Sequence, residues 1–515
     1  MTTRVFGRRS ISSGRARRRG RTSPQTPPTR IFRFEFVVQR RFVGIFFECL
    51  SQAPAGRGEA ALLQKLLNLL EDHREAEVPA TTPTRDWTKF MIPLTSRQRM
   101  LRALSREATD YPPCCFMSFT AMRKRVNEDL YALVDAELAL GLDSMLFIPT
   151  ASRLERPEHP DLRGLPVRFS PAVQCRSWKE SGTGGSRIMH REFRTPDGVL
   201  STSIQITEDW PYGDQVPFVG DYCVPRALRH LVASPADLPA LAHLLRQPTE
   251  DDIAAFGKEA ERARAFASER GVLLAGGWGV GADMLNWLCG MEQLIILTQA
   301  DPPMVAELFE MVHQWNMQRM KVVLSAGVDL YIRRAWYEGC DFIPLKFFRD
   351  VVLPRLRAEA ELAHEKGAKF GYICSSGLLP ILDYLLAAGV DALIGIDPVQ
   401  GTSTDLGAIK AKVGDRMCLW GGVSGAITVE MGTAEEVRCA VRQALCALGP
   451  RSFVLSPVDN ITVDAPQTWS NLEVFRDEWR SQRVGPNRAS SPNQSSDDKG
   501  VAGANSPDAG ARTSP

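Results

Sequence analysis

KFGYIC (369–374), ALIGID (392–397), MCLWGG (417–422) and SFVLSP (452–457) are four short apolar runs that decide the fold. Polar or glycine residues follow each run, and helix-length segments such as 377–389 and 433–448 lie between them. A buried strand, a polar loop and a helix, repeated along the chain, indicate a parallel α/β barrel. In such barrels the loops after the strands form the active site.

Four earlier apolar runs bring the strand candidates to eight, which is the number that a (β/α)8 TIM barrel needs. They are Cys114–Phe119, 145–149, 271–276 and 329–335. Helices are predicted at 96–107 and 121–141, where apolar residues recur with helical spacing. We therefore expect an α/β fold of the (β/α)8 type.

The regular alternation stops at residues 151–230, which are rich in Pro, Gly and Arg. We interpret this range as an insertion after the second strand that serves as a lid or an oligomer contact. Within it, HREFRTPDGVLSTSIQI (190–206) predicts a hairpin, because Pro196-Asp197-Gly198 is typical turn chemistry between two alternating runs.

The two ends of the chain have low-complexity composition. Residues 1–30 carry nine Arg and no acidic residue, and residues 1–90 are predicted to be a disordered extension or a mis-assigned start, with Met91 as the natural beginning. An organellar transit peptide is the alternative for this Arg- and Ser-rich segment. Residues 91–480 then hold the barrel, and residues 481–515 are predicted to be a disordered tail.

Composition excludes several function classes. The net charge is +2 and the body has no basic stripe, so we expect no nucleic-acid partner. No run of eighteen uncharged apolar residues occurs, so we expect no membrane span. The eleven Cys are scattered without a CxxC pair, which favours a reducing compartment, and we expect a cytoplasmic location.

The candidate site residues lie at or just after the ends of the predicted strands. An Arg next to a buried strand is costly unless it meets an anion, so Arg333 and Arg334 predict an anionic small-molecule substrate. The alternative is a salt bridge to a carboxylate such as Asp350. The other predicted substrate-binding residues are Trp278, Trp336, Glu338, Ser375, Gln400 and Asn460.

Acid–base chemistry is predicted for Asp397 in GIDP and Asp459 in SPVDNI, each with a loop-fixing or capping role as the alternative. Tyr337 and Tyr372 are predicted to donate hydrogen bonds to the reacting group. Cys374 is a metal ligand only if zinc is present, and otherwise a small buried residue. GGWGVG (276–281) lacks the spacing of a phosphate loop, and we interpret it as a tight strand-to-helix turn.

Several segments resemble the uroporphyrinogen decarboxylase superfamily over roughly residues 95–480. They are TSRQRMLRAL (95–104) with TDYPP (109–113), LCGMEQLIILTQADPPMVAELF (288–309), HEKGAKFGYICSSGLLPILDYLLAAGVDALIGIDP (364–398), DLGAIKAKVGDRMCLWGGV (405–423) and GTAEEVRCAVRQAL (432–445). The resemblance implies a (β/α)8 barrel with one of two chemistries. One is cofactor-free decarboxylation of a tetrapyrrole, and the other is methyl transfer from a corrinoid protein to a thiol.

The chain departs from both patterns and is identified as a divergent member. The region after the first strand lacks the decarboxylases' Arg-rich loop, and the resemblance places their pyrrole-binding Asp near Asp143. The methyltransferases bind zinc through His-x-Cys and a distant Cys, whereas Tyr372, Cys374 and Asp459 stand at those positions here. One thiolate without an imidazole makes a poor zinc site.

The leading hypothesis is a carboxy-lyase of the uroporphyrinogen decarboxylase type, in porphyrin-type metabolism, that acts on an acidic, tetrapyrrole-like substrate without a cofactor. The alternative is a methyltransferase that works with a separate corrinoid protein, with zinc or a corrinoid as a possible cofactor and Cys374 as the thiolate or metal ligand. A second alternative is a tetrapyrrole or corrinoid binder without catalytic activity. A homodimer is a further possible assembly under any of these hypotheses.

Overall fold

Seven parallel strands form the main sheet of this computed structural model, which describes residues 94–150, 158–159, 162, 165–182, 185–400 and 404–483. Hydrogen bonding joins the strands in the order β1-β6-β7-β8-β9-β10-β11. Their bounds are β1 Met145–Ile148, β6 Leu273–Val280, β7 Leu330–Arg334, β8 Lys369–Ile373, β9 Ala392–Ile396, β10 Cys418–Ser424 and β11 Phe453–Val458. The α/β class and seven of the eight predicted strands are confirmed.

The strands of the main sheet are buried on both faces. Every residue of β7, β9, β10 and β11 is buried. This explains why they appear in the sequence as continuous apolar runs rather than as alternating ones. β6 continues to Val280, so GGWGVG (276–281) is mostly strand, and the turn predicted there is confined to Gly281.

The predicted strand Cys114–Phe119 is wrong in its length. Only Cys114 and Cys115 form bridges, one to Leu455 and the other to Asp143. Beyond them the regular strand pairing is interrupted. The Met117 amide donates to the Ser456 hydroxyl at 3.2 Å, and the next main-chain hydrogen bond runs from the Ile461 amide to the Ser118 carbonyl oxygen at 3.4 Å. The short segment nevertheless hydrogen-bonds to both edges of the sheet, through Leu455 N to Pro113 O and Asp143 N to Cys114 O.

Helices follow most of the strands and cover one face of the sheet, whereas the first helix precedes the first strand and packs against the other face. Their bounds are α1 Ser96–Leu104, α2 Thr120–Arg125, α3 Leu130–Ala139, α4 Leu238–Ala242, α5 Glu250–Arg270, α6 Ala282–Cys289, α7 Met291–Ala300, α8 Pro302–Leu324, α9 Leu345–Phe347, α10 Leu353–Glu365, α11 Leu382–Ala388, α12 Leu406–Val413, α13 Ala434–Leu448 and α14 Pro466–Ser481. Two π-helical turns, Phe348–Val352 and Gly425–Glu430, adjoin α10 and β10.

The single helix predicted at 121–141 is divided into α2 and α3. Asn127 and Glu128 have φ angles of 54° and 64°, in the left-handed region that a helix cannot contain. Asp129 then starts α3 as its N-cap, because its carboxylate accepts hydrogen bonds from the amides of Tyr131 and Ala132. The apolar stripe that predicted one helix therefore belongs to two.

A separate four-stranded antiparallel sheet lies in the chain between β1 and β6. Its strands are β2 Gln174–Ser181, β3 Arg187–Thr195, β4 Gly198–Ile206 and β5 Ala227–Arg229, paired in that order. β3 and β4 pair from Arg187 with Ile206 to Thr195 with Gly198, which confirms the hairpin predicted at 190–206.

The main sheet has two distinct faces, which we call inner and outer. The inner face carries an apolar cluster that includes Leu330, Ile332, Ile394 and Trp420, and Met100 of α1 packs into it. The outer face packs against the helices. Predictions for residues 1–90 and for most of 481–515 concern the part of the chain outside the described residues.

Candidate active site

The two consecutive arginines at the end of β7 point to opposite faces of the sheet. Leu330 and Ile332 belong to the inner cluster and Tyr331 to the outer one. Side chains alternate along a strand, so Arg334 lies on the inner face and Arg333 on the outer face. Both are buried, with 0% and 4% of Arg333 and Arg334 exposed.

Arg333 is matched by two buried carboxylates on the outer face. Its guanidinium contacts Glu338 at 2.5 Å and Glu359 of α10 at 2.8 Å. Glu338 also accepts hydrogen bonds from the Tyr372 hydroxyl at 2.7 Å and from the Ala282 amide at 2.7 Å. The salt-bridge alternative therefore holds for Arg333, with partners other than Asp350.

Tyr372 and Cys374 belong to the outer cluster and are fully buried. Burial raises the pKa of the Tyr372 phenol well above its usual value, and it raises the pKa of the Cys374 thiol as well. The thiol contacts the Ser376 carbonyl oxygen at 3.5 Å. Both side chains lie on the outer face of the sheet and neither reaches solvent. The structure therefore does not bring these two predicted site residues to the inner face.

Arg334 is held on the inner face by two aspartates that the sequence did not point to. Its Nε donates to Asp283 at 2.7 Å, and its Nη2 donates to Asp221 at 2.6 Å. The Trp287 indole donates to the other oxygen of Asp221 at 2.6 Å and lies 4.7 Å from the guanidinium. Burial raises the pKa of Asp283 to about 6, although the charge of Arg334 opposes this.

Asp459 is an exposed residue that directly follows β11. Its side chain is accessible to solvent, yet protein surrounds it closely, and this desolvation raises its pKa to about 6. The negative charges of Asp397, Asp221 and Glu430 raise the pKa further, and Arg334 lowers it.

Asp397 is the buried partner of this acid. One carboxylate oxygen accepts from the amides of Val399 at 2.8 Å and Gln400 at 3.1 Å, so the predicted loop-fixing role is confirmed. The second oxygen, Oδ2, is buried and has no hydrogen-bond partner among the described residues. Burial raises the pKa of Asp397, while the amides of Val399 and Gln400 lower it.

The remaining predicted residues are distributed around this edge. Gln400 reaches the Ser424 hydroxyl at 3.5 Å, and Asn460 exchanges hydrogen bonds with Thr120 at the start of α2. Trp278 and Trp336 pack against the inner cluster and are partly exposed. The Tyr337 amide donates to Asp283, and Ser375 is partly exposed after β8.

Asp143 is at the opposite end of the sheet from this site. It precedes β1, and its carboxylate binds the Arg99 guanidinium at 2.6 Å and the Cys114 amide at 3.1 Å. The position that the resemblance assigned to a pyrrole-binding Asp therefore serves to join α1 to the sheet.

Zinc does not fit the residues that stand at the metal positions. A ligand thiol must lose its proton, but burial holds the Cys374 pKa high, and the Tyr372 hydroxyl is bonded to Glu338. In the described ranges no group of three or more His, Cys, Asp or Glu could hold a metal ion.

The sheet and the site define a class of protein. It is a parallel α/β protein with paired acids and an arginine at the carboxyl edge of the strands, where such folds place their chemistry. A family model described as uroporphyrinogen decarboxylase (URO-D) matches residues 186–480, which is more than half of the chain. The chain belongs to the uroporphyrinogen decarboxylase family.

The family match adds two details. It starts at residue 186, so the resemblance seen in 95–104 and 109–113 lies outside the matched residues. Part of the range 151–230 lies inside them, and the insertion assigned to that range stays a prediction.

Solved structures show weak similarity. A methyltransferase from Methanosarcina mazei is similar at 15% identity with a TM-score of 0.47, covering 75% of this chain and 99% of that chain. A B12-independent methionine synthase from Shewanella sp. W3-18-1 is similar at 10% identity with a TM-score of 0.38, covering 72% and 98%. No curated protein matches the sequence.

Proposed function

We propose that the protein is a decarboxylase-type lyase that moves protons with Asp459 at the carboxyl edge of its sheet. The observation that carries the proposal is that Asp397 and Asp459 directly follow β9 and β11 at the carboxyl edge of the sheet, where desolvation and then the charge of Asp397 raise the Asp459 pKa to about 6. An acid with a pKa near neutrality can both donate and accept a proton at physiological pH, whereas an ordinary aspartate cannot.

Decarboxylation needs such a group at two points. Protonation of the substrate ring by Asp459 creates an electron sink next to the carboxylated side chain. The bond between that side chain and its carboxylate then breaks, the electron pair moves into the ring, and CO2 leaves. A proton returns to the side-chain carbon and the ring proton is given up, so that a carboxylate and one proton become a C–H bond and CO2.

Asp397 acts on Asp459 and on the cationic intermediate. Two backbone amides fix one of its oxygens, so its charge stays in one place, and the other oxygen is buried without a hydrogen-bond partner among the described residues. A fixed negative charge beside a developing cation stabilises it without reorganisation. The same charge keeps Asp459 protonated at a higher pH.

Arg334 is the residue best placed to bind a substrate carboxylate. Asp283 on its Nε is fully buried, but the Asp221 side chain on its Nη2 is 22% exposed. We interpret Asp221 as the displaceable partner, which holds the guanidinium until a substrate carboxylate replaces it. Arg333 has no partner that a substrate could displace, because the two carboxylates that contact it, Glu338 and Glu359, are both buried.

The finer description of the fold belongs to the same proposal. The bridges of Cys114 and Cys115 to the two edges of the main sheet support a closed barrel of eight strands. A tetrapyrrole-like substrate, porphyrin-type metabolism, cofactor-free chemistry and a cytoplasmic location remain predictions. Among the described residues no helix is long and apolar enough to cross a membrane.

The test is CO2 release from uroporphyrinogen and from small pyrroles with acetate side chains. We expect release by the wild type that decreases above about pH 6, since Asp459 must carry the proton, and at least a hundredfold loss in Asp459→Asn. Asp415→Asn is the matched control, because Asp415 is an exposed surface acid paired with Lys410.

Two results would contradict the proposal. One is full CO2 release by Asp459→Asn. The other is stoichiometric zinc that is lost in Cys374→Ala together with methyl transfer from a corrinoid protein to a thiol, which would support the methyltransferase hypothesis instead.

A further inference from the structure

β2 is an edge strand with an open side. It pairs with β3 along its whole length, from Gln174 with Arg194 to Ser181 with Arg187. All of its residues are exposed except Trp178, which is partly buried. No backbone hydrogen bond from another described segment reaches its other side. An edge of this length offers a row of N–H and C=O groups for another strand.

Charges on β2 restrict which strand can bind there. Arg176, Trp178 and Glu180 share one face, because side chains alternate along a strand. That face is already ordered. The Trp178 ring stacks on His190 with centroids 4.8 Å apart, Glu180 lies 3.1 Å from His190, and the Arg176 guanidinium lies 5.2 Å from the Trp178 ring.

We propose that β2 pairs with β2 of a second copy, antiparallel and about a two-fold axis at Trp178. In this register Arg176 of each copy lies opposite Glu180 of the other. The symmetry produces the ion pair twice and places the two Trp178 side chains next to each other. Opposite charges directly across an antiparallel pair stabilise it, and like charges destabilise it.

Neighbouring registers lack this complementarity. A shift of the axis by one residue toward Gln174 puts Arg176 opposite Trp178, so both ion pairs are lost. A shift by one residue toward Ser181 puts the two Lys179 side chains opposite each other. The sequence of β2 therefore favours one self-pairing and disfavours its closest competitors.

The full-length protein tests this through its oligomeric state. Light scattering over a concentration series is expected to show a dimer for the wild type. Arg176→Glu and Glu180→Arg each replace two attractions by two repulsions, and we expect each to weaken dimerisation by about tenfold or more. Unchanged circular dichroism and melting temperature would show that both variants are folded.

Two rescue experiments distinguish the loss of the ion pairs from a general disruption of β2. The double variant Arg176→Glu/Glu180→Arg restores both ion pairs and is expected to dimerise like the wild type. An equimolar mixture of the two single variants is expected to form heterodimers, because every pair across that interface is again of opposite charge.

Matched control variants test the register in which the two copies of β2 pair. Arg176→Gln is expected to weaken the dimer, whereas Lys179→Gln removes the same charge opposite Ser177 and is expected to leave it intact. Ser181→Cys is expected to form an intermolecular disulfide with Cys175, which lies opposite it. A monomeric wild type, or single variants that dimerise as strongly as the wild type, would overturn the proposal. Either result would leave the proposed lyase activity untouched.

Discussion

At the residue scale, the site depends on two adjacent arginines that face opposite ways. Burying a guanidinium is costly unless carboxylates surround it, and among the described residues each arginine contacts two. Arg333 has only buried carboxylates and holds β7 against the helices. Arg334 has one buried and one partly exposed carboxylate, and only this arrangement leaves room for a ligand.

Asp221→Asn tests the displaceable partner. We expect the variant to bind small carboxylates such as acetate about tenfold more tightly than the wild type, because the guanidinium loses a competing charge. The fluorescence of Trp287, whose ring lies 4.7 Å from Arg334, is the measurement. Asp283→Asn is the comparison: it leaves a buried guanidinium half-paired, so it is expected to lower stability by about 3 kcal/mol. Equal anion affinity in Asp221→Asn and the wild type would contradict the role of Asp221.

Part of this site could be predicted from the sequence. Asp397 and Asp459 follow apolar strands, and the position of each carboxylate at the end of a strand was enough to identify it. Asp221 and Asp283 were missed for different reasons. Asp221 lies in an irregular segment without periodicity, and Asp283 is inside the first turn of α6, where an acid usually indicates only the start of a helix. Their contact with Arg334 is a property of the tertiary structure.

At the element scale, helix α3 is fixed to the start of β1 by a buried acid. The Ser144 hydroxyl donates to Glu137 at 2.5 Å, and burial raises the pKa of Glu137 to about 8. Glu137 is therefore protonated in the folded protein at neutral pH. The unfolded chain loses this proton near pH 4.5, and the difference links the stability of the fold to pH.

Glu137→Gln is expected to remove this dependence. For the wild type, the free energy of unfolding falls as the pH rises from about 4.5 to about 8, because only the unfolded chain ionises in that window. The variant cannot ionise, so its advantage should grow to a few kcal/mol at pH 8 and then stay constant. Denaturant unfolding between pH 4 and 9 is the measurement.

A surface acid provides the control for this prediction. Glu435→Gln changes an exposed helix residue and should follow the wild-type curve. Parallel curves for the wild type and Glu137→Gln across the whole range would show that Glu137 is ionised in the folded protein, against our expectation.

The sequence predicted which strands and helices are present better than it predicted the residues at which they begin and end. Strands buried on both faces give unmistakable apolar runs, and seven of them were located. The break between α2 and α3 was missed, because left-handed residues such as Asn127 and Glu128 interrupt a helix without interrupting its apolar stripe. The pairing of Cys114 and Cys115 is too short to distinguish from an extended strand in the sequence.

At the scale of the whole molecule, one buried ion cluster joins α1 to both sides of the segment at Cys114. Arg99 contacts Asp110 at 2.6 Å and Asp143 at 2.6 Å, and the second oxygen of Asp143 accepts from the Cys114 amide. Because Cys114 and Cys115 bridge the two edges of the sheet, this cluster stabilises the place where the edges meet.

Asp143→Ala is expected to destabilise the protein by about 3 kcal/mol or more, because it leaves Arg99 only partly paired and the Cys114 amide without its acceptor. Asp135→Ala is the control: Asp135 forms an exposed ion pair with Arg270, so its loss should cost less than about 1 kcal/mol. Urea unfolding of the two variants makes the comparison. Equal effects would argue against a structural role for the cluster.

The α/β class followed from the order of the apolar runs, and the family followed from segments along the chain that resemble it. The activity does not follow in the same way, since a fold of this kind hosts many reactions. It depends on the protonation of a single carboxyl group, Asp459, beside a second one, Asp397.

The most direct test is therefore a titration of the Asp459 carboxyl carbon by 13C NMR in the wild type and in Asp397→Asn. We predict a pKa of about 6 in the wild type and a lower value in the variant, because the variant lacks the neighbouring negative charge. A pKa near 4 in both proteins would contradict the proposed acid–base pair.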